Sequence, residues 1–351
     1  MRTPSGAFAL PSLGAAGPKG IRGIVDEANG GGGRLRIAVA DDALVDIPGV
    51  IQKFARNAEF IVGPVGTAEE ITSLTAGADG LIVSLHPIRE QHIAALSDSV
   101  KIIARAGVGL DSVDIGRAEA RRVRVVYQPN YATNEVADHA AAMALAAWRR
   151  LTGADRMVRS QGWASATQVG PVGALQDSTL GVLGTGRIGR AFIRRLQPFV
   201  AGIVVFDMVK DLSLEGVEWS DDVSGVLAQA DLLSLHLPLT EQTRHIVDAE
   251  AIDRMPDNTV IVNVSRGGLI DERALANALN TGKVRSAALD VFESEPLAAD
   301  SPLREAPNIL LTPHLAWYSI ASGERLAHWS VGDVISYLTT GELRHGAWAW
   351  Q

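Results

Sequence analysis

The stretch that most constrains how this chain can fold is Thr179–Gly189, T-L-G-V-L-G-T-G-R-I-G. Thr179–Leu183 is a short apolar run of the kind that forms a buried parallel strand. Gly184, Gly186 and Gly189 then give G-x-G-x-x-G, and Ile188, Phe192, Leu196 and Phe199 follow at helical spacing. The first glycine permits a tight strand-to-helix turn, and the second lets the backbone approach a pyrophosphate. The third lets the helix pack close to the strand. The helix N-terminus offers unpaired N–H groups and a positive dipole end to the phosphates. A second apolar strand, Gly202–Phe206, ends at Asp207, where a carboxylate would take the adenosine ribose hydroxyls. The pattern predicts a dinucleotide site that prefers NAD over NADP. Lys210 could meet a 2′-phosphate, but Asp207 stands in front of it and would repel one.

A chain of 351 residues is long enough for two domains with well-developed cores. Its 47% hydrophobic and 21% charged residues are ordinary for a soluble α/β protein. A formal net charge of −8 and no Lys/Arg block argue against a nucleic-acid surface. There is no cysteine, which excludes disulfides, thiolate metal sites and a cysteine nucleophile, and fits a reducing compartment. No apolar run approaches the roughly 18–20 residues of a membrane span. The opening M-R-T-P-S-G-A-F-A-L-P is a poor signal peptide, so the expected location is cytoplasmic.

Residues 1–33, rich in Gly, Ala and Pro, read as a flexible tail. Strand-like runs at Leu35–Val39, Glu59–Val62, Gly80–Ser84, Lys101–Ala104 and Val123–Tyr127 alternate with helical segments such as Ala43–Ala55 and Glu90–Ser97. This alternation implies a small parallel-sheet α/β domain. Ala132–Leu151 is expected to be one long helix, capped by Asn134 and stopped by Gly153. Six strands, near Thr179, Gly202, Asp231, Thr259, Ser286 and Ile309, are expected for the dinucleotide fold. A last helix from about Ser319 to Leu338 carries the stripe Leu326, Trp329, Val334, Ile335 and Leu338, with Gly341 as its stop. That helix could return to the first domain, so the chain would cross between domains twice, with a cleft between them for a substrate.

Six motifs stand in order along the chain. They are A-G-V-G-L-D-S-V-D (106–114), the glycine fingerprint, L-H-L-P-L-T (235–240), V-N-V-S-R-G-G-L-I-D (262–271), A-L-D-V-F-E-S-E-P-L (288–297) and T-P-H (312–314). Over residues 35–340 the chain resembles the D-isomer-specific 2-hydroxyacid dehydrogenases. A-W-Y-S at 316–319 and R-A-G at 105–107 look most like that family's C-terminal-binding protein branch, which in animals joins a dehydrogenase fold to transcriptional corepression. The resemblance implies an α/β protein of two domains: a flavodoxin-like substrate domain (34–130 plus 315–351) and a doubly wound Rossmann NAD-binding domain (131–314), with an interdomain cleft. It makes Arg266 the catalytic arginine, Glu295 its carboxylate partner and His314 the acid/base, with Asp290 holding the nicotinamide carboxamide. Gly184, Thr185, Gly186, Arg187, Ile188, Gly189, Asp207, Pro238, Thr243 and Val264 would contact the cofactor. Val108 and Gly109 would bind the substrate carboxylate through their backbone, with Arg105 beside them. A homodimer is also implied. Ser112 departs from the Asn often found in the family, and residues 1–33 have no family counterpart.

The chemistry suits these residues. An arginine fork fixes a 2-oxoacid's carboxylate and carbonyl. Histidine titrates in the range useful for proton delivery, and a carboxylate beside an imidazole favours its protonated form. On composition alone Glu293 competes with Glu295, and only the family pattern selects Glu295. His236 reads as structural or as a wall beside the cofactor. Trp317 could be core, but the branch motif assigns it to the substrate pocket. His86 ends a first-domain strand, and the branch has a substrate-contacting histidine there. His236, His245 and His314 lack metal-ligand spacing. The expected reaction is NAD-dependent, reversible reduction of a 2-oxoacid. One alternative is an NAD(H)-sensing protein of the corepressor type. The other is oxidation of phosphoglycerate, with Arg89 and Arg105 as available cations.

Overall fold

Strands and helices alternate from Leu35 onward, and the computed structural model describes residues 34–350. The expected flexible tail at 1–33 lies outside the described residues. Two units are distinguished, one of residues 34–130 with 323–350, the other Tyr131–Ser322.

The first unit runs β1 (Leu35–Ala40), α1 (Ile47–Phe54), β2 (Ala58–Gly63), α2 (Ala68–Thr75), β3 (Gly80–Val83), α3 (Glu90–Ala95), β4 (Ile102–Arg105), α4 (Ile115–Ala120) and β5 (Arg124–Tyr127). These strands are parallel and lie in the order β5-β4-β3-β1-β2, the flavodoxin-like arrangement. Side chains set the helix starts. Asp46 accepts from the Gly49 N–H, and Thr67 and Glu70 form a reciprocal capping box. β3 and β4 are buried along their whole length, which is why they read as unbroken apolar runs.

The second unit opens with α5 (Thr133–Trp148), α6 (Leu151–Gln161) and α7 (Ala166–Val169). It continues β6 (Thr179–Leu183), α8 (Arg187–Leu196), β7 (Gly202–Phe206), β8 (Glu218–Trp219), α9 (Val223–Leu227), β9 (Leu232–Leu235), α10 (Ala249–Arg254), β10 (Thr259–Asn263), α11 (Glu272–Thr281), β11 (Val284–Leu289) and β12 (Ile309–Leu311). The sheet order β12-β11-β10-β9-β6-β7-β8 is the doubly wound dinucleotide order with one strand added at the β12 edge. It has seven strands rather than the six expected. The two-residue β8 was missed because an edge of that length leaves no periodic signal. The order reverses between β6 and β9, and ligands bind beyond the carboxyl ends at such a switch point. The chain ends with α12 (Ile320–Thr340) and β13 (Ala347–Trp348), an antiparallel edge on β5.

Three other expectations are corrected. The helix expected over Ala132–Leu151 is two helices. Arg150 takes a left-handed conformation (φ 55°) and its guanidinium donates to the Val169 carbonyl at 2.6 Å, so the chain turns there. Asn134 lies inside the first turn of α5, whose N-cap position is Ala132, and Gly153 sits within α6. Residues 315–322 belong to the second unit rather than the first. The stripe of α12 is less apolar than read: Leu326 and Val334 are buried, but so are Ser330, Asp333 and Ser336. Asp333 is tolerated because its carboxylate accepts from the N–H groups of Arg344, His345 and Gly346 and from Gln128 Nε2, at 2.7–3.0 Å. Gly341, at φ 80°, does stop the helix.

Candidate active site

In the second unit the glycine turn follows from sterics. Gly184 has φ 97°, and a Cβ there would lie 2.5 Å from the His236 carbonyl oxygen. A Cβ on Gly189 would lie 2.0 Å from the Gly184 carbonyl oxygen, so α8 can approach β6 only with glycine at that position. Around Gly186 a Cβ would meet nothing within 4 Å, and no side chain caps α8. The start of α8 thus carries neither a Cβ at Gly186 nor a side-chain cap, which fits a pyrophosphate. Arg187 is exposed at the helix start, Ile188 is half-buried, and Thr185 is buried beneath.

Asp207 ends β7 and is already tied to this turn. Its Oδ2 accepts from the Thr185 N–H at 2.7 Å and the Thr185 hydroxyl at 3.2 Å. Lys210 is engaged by Asp221 at 2.8 Å, and Arg190 by Asp211. His236 packs against Phe192, with ring centroids 4.9 Å apart, and its Nε2 meets Ser234 Oγ at 2.9 Å. The residue as a whole is only part-buried, but Nδ1 is shut off from solvent without a partner, and burial pushes the imidazole down to about 3. The neutral imidazole lies against the glycine turn, with His236 Cβ 3.4 Å from where a Cβ on Gly189 would stand. Beyond β9, Thr243 Oγ1 donates to the Pro238 carbonyl at 2.7 Å and fixes that loop. Val264 is buried just past β10.

Arg266, Glu295 and His314 all follow strand ends of this sheet. Asn263 closes the turn after β10, donating from Nδ2 to the Arg266 carbonyl at 2.8 Å and accepting from the Ser265 N–H at 3.0 Å. Gly267 then lies against the chain at Phe292, where a Cβ would fall 1.8 Å from the carbonyl carbon. This contact draws the Arg266 segment to the Glu295 loop. Glu295 Oε1 accepts from the Phe292 N–H at 3.0 Å, and Oε2 accepts from His314 Nδ1 at 2.6 Å. Burial raises the Glu295 carboxyl, but the His314 hydrogen bond and charge, the Phe292 N–H and Arg266 outweigh it and leave it below the ordinary carboxylate value. Glu293 instead faces His245 at 3.1 Å, so Glu295 is the acid on the imidazole. With Nδ1–H given to Glu295, His314 presents Nε2 as its exchangeable position.

His314 itself is left-handed at φ 52°, a conformation costing a side-chain-bearing residue about 1–3 kcal/mol. Asp290, fully buried at the end of β11, holds it there. Its carbonyl accepts the His314 N–H at 2.8 Å, while its carboxylate accepts from the Leu315 and Ala316 N–H groups at 3.0 and 2.9 Å and from Thr312 Oγ1 at 2.6 Å. The carboxylate expected to hold a carboxamide is thus largely engaged by the loop that carries His314. Trp317 is half-buried and donates Nε1–H to the His314 carbonyl at 3.1 Å, with Tyr131 6.1 Å from it centroid to centroid. Sequence reading missed His139, whose Nε2 meets Thr312 Oγ1 at 3.1 Å. On an Ala-rich helix nothing singled it out.

In the first unit His86 follows β3 and meets His92 edge-on at 6.2 Å. Val108 and Gly109 lie half-buried in the loop after β4. Arg105 is buried, with Nη1 donating to the Ala106 carbonyl at 3.2 Å, and Arg89 donates to the Asp111 carbonyl at 2.9 Å. Both cations available for a phosphate therefore donate to backbone carbonyls, Arg105 to the next residue and Arg89 to the loop after β4. Among the described residues no helix is long and apolar enough to cross a membrane, and no cluster of three His, Asp or Glu side chains is arranged to hold a metal ion.

Comparison with known proteins bears on the same residues. The family model for the D-isomer specific 2-hydroxyacid dehydrogenase NAD binding domain matches residues 141–316. A D-3-phosphoglycerate dehydrogenase of Mycobacterium bovis is 37% identical over 281 residues, 78% of this chain and 52% of the relative, so the chain spans about half the length of such relatives. A glyoxylate reductase of Korarchaeum cryptofilum is 35% identical over 74% of this chain and 79% of its own. The structure of D-lactate dehydrogenase from Aquifex aeolicus with NAD and lactic acid superposes with a TM-score of 0.79 at 26% identity, over 87% of this chain and 95% of that one. The glycine turn, the doubly wound sheet and these matches establish that the chain belongs to the D-isomer specific 2-hydroxyacid dehydrogenase family, with that family's NAD-binding domain.

Proposed function

We propose that the protein catalyses the reversible reduction of a 2-oxoacid to a D-2-hydroxyacid with NAD(H). The observation that carries this reading is the His314–Glu295 pair at 2.6 Å, at the strand ends that also carry Arg266. NAD, when bound, supplies or accepts the hydride. Gly184–Gly189 and Asp207 would hold its phosphates and ribose, with Thr243, Pro238 and Val264 lining the loops nearby. Arg266 orients the substrate through its carboxylate and carbonyl oxygens, and the backbone at Val108–Gly109 is the further carboxylate donor. His314 delivers a proton from Nε2 to the carbonyl oxygen, and Glu295 fixes the ring and stabilises the imidazolium that donates it. In the reverse direction neutral His314 takes the hydroxyl proton. Trp317 and His86 are proposed to shape the side-chain end of the substrate.

The test is NADH consumption against 2-oxoacids graded in side-chain size and charge, including glyoxylate, pyruvate and phosphohydroxypyruvate. Turnover confined to the phosphorylated substrate would favour phosphoglycerate oxidation, which the 37% identical relative supports but the engaged Arg89 and Arg105 do not. Tight NADH binding without turnover on any of them would favour an NAD(H)-sensing protein of the C-terminal-binding type, for which A-W-Y-S at 316–319 speaks. We further propose a homodimer in the cytoplasm. α6 buries none of its residues and exposes Leu151 and Val158, with Trp163 78% exposed beside it.

A further inference from the structure

We propose that Thr312, with His139 behind it, is a positioning residue for the proton-transferring His314; this rests on the dehydrogenase reading above. Thr312 has one hydroxyl proton, and its shortest contact is the donation to Asp290 Oδ1 at 2.6 Å. At the 3.1 Å contact with His139 the threonine oxygen must therefore accept, so His139 carries its proton on Nε2. His139 Nε2 also stands 3.7 Å from Asp290 Oδ1. The result is a directed chain from α5 through the end of β12 to the end of β11. Asp290 passes it on to both sides of His314: its carbonyl takes the His314 N–H, and its carboxylate takes the N–H groups of Leu315 and Ala316.

β12 cannot do this alone. It has three residues, all only part-buried, and pairs on one side only. His314 lies three residues past its end in a left-handed conformation, so the imidazole's place opposite Glu295 depends on the buried Asp290 staying put. Removing the threonine proton leaves one carboxylate oxygen short of its closest donor inside the protein, and the Asp290 side chain is then free to rotate away from Leu315 and Ala316. A 2-oxoacid waiting for its proton would feel the misplacement in the rate, not in binding.

The experiment compares Thr312→Val, Thr312→Ser and His139→Gln in the full chain. In Thr312→Val, kcat for 2-oxoacid reduction should fall about 10- to 100-fold. The NADH dissociation constant, read by fluorescence, and KM for the oxoacid should change no more than about threefold, the scatter expected when no direct contact is lost. Thr312→Ser, which keeps the hydroxyl, should restore kcat to within about threefold of wild type, and His139→Gln, which keeps a donor, should do nearly as well. Proton NMR of the deshielded Nδ1–H of His314 gives a readout independent of turnover: the resonance should move upfield in Thr312→Val and stay in Thr312→Ser. If Thr312→Val leaves both kcat and that resonance unchanged, or if Thr312→Ser is as impaired as Thr312→Val, the positioning role is overturned. If Thr312→Val fails to fold, a His139→Phe variant with unperturbed His314 would overturn it equally. Absence of wild-type turnover on every oxoacid would sink the functional reading alone, because the His314 resonance still decides the positioning.

Discussion

At the scale of single residues the site depends on which atom each charged group faces. Arg266 sits one residue before the glycine that presses against Phe292, and its proposed partner is the oxoacid. Arg266→Ala should abolish useful turnover while leaving the NADH dissociation constant nearly unchanged; a variant with near-normal kcat/KM would remove Arg266 from the site. Glu295 is held below the ordinary carboxylate value, so it is ionised throughout the neutral range. Its contribution to stability is present above the unfolded-state carboxylate pKa and is lost as pH falls through the lower folded-state value. Its contribution to catalysis concerns the other side of the pH scale. In the proposed reaction reduction needs protonated His314, so its rate should fall as pH rises, and oxidation should show the opposite slope. Glu295→Gln keeps the shape but removes the charge, so the alkaline fall in reduction should move to lower pH; an unmoved profile would break the pair. Asp207 ties the glycine turn through Thr185 and would repel a 2′-phosphate. Asp207→Ala should weaken NADH binding and narrow the gap to NADPH, and equal use of both cofactors by the wild type would refute this role.

At the scale of elements, the junction of β6 with α8 is the most tightly specified part of the second unit. A methyl group on Gly189 would sit 2.0 Å from a backbone oxygen that has nowhere to move, since Gly184 is itself pressed against the His236 carbonyl. Gly189→Ala should therefore lower Tm and weaken NADH binding about tenfold, equivalent to about 1.4 kcal/mol and within the range that overpacking costs. Binding as tight as wild type would mean that the helix tolerates standing further from the strand. Much of this junction was legible in the sequence, because glycine spacing is a local steric code. The break between α5 and α6 was not. Arg150 adopts a conformation that its residue type disfavours, and only its bond to the distant Val169 carbonyl accounts for it. β8 and β13, of two residues each, are held by neighbouring strands rather than by their own pattern.

For the whole molecule the proposed homodimer makes a direct prediction: sedimentation equilibrium should return twice the 37.1 kDa chain mass. Trp163→Asp and Val158→Asp together should shift it toward the monomer, because each would bury a charge in the proposed contact. A wild-type protein that sediments as a monomer at all concentrations would discard the dimer.

The sequence by itself determined the two parallel-sheet units, the dinucleotide turn and the acid after β7, because strand burial, helical spacing and glycine sterics are written in residues close together in the chain. Residues from three distant motifs, Arg266, Glu295 and His314, could be named only through a family resemblance. Nothing local distinguishes Glu295 from Glu293. Tertiary structure decided that choice: Gly267 packs against Phe292, the Phe292 N–H donates to Glu295, whose other oxygen meets His314, and Glu293 is turned to His245. It also decided the buried role of Asp290 and brought His139 to Thr312 across 173 positions of sequence. Hydrogen bonds of that span depend on where the sheet sets its strand ends, and no periodicity in the chain encodes it.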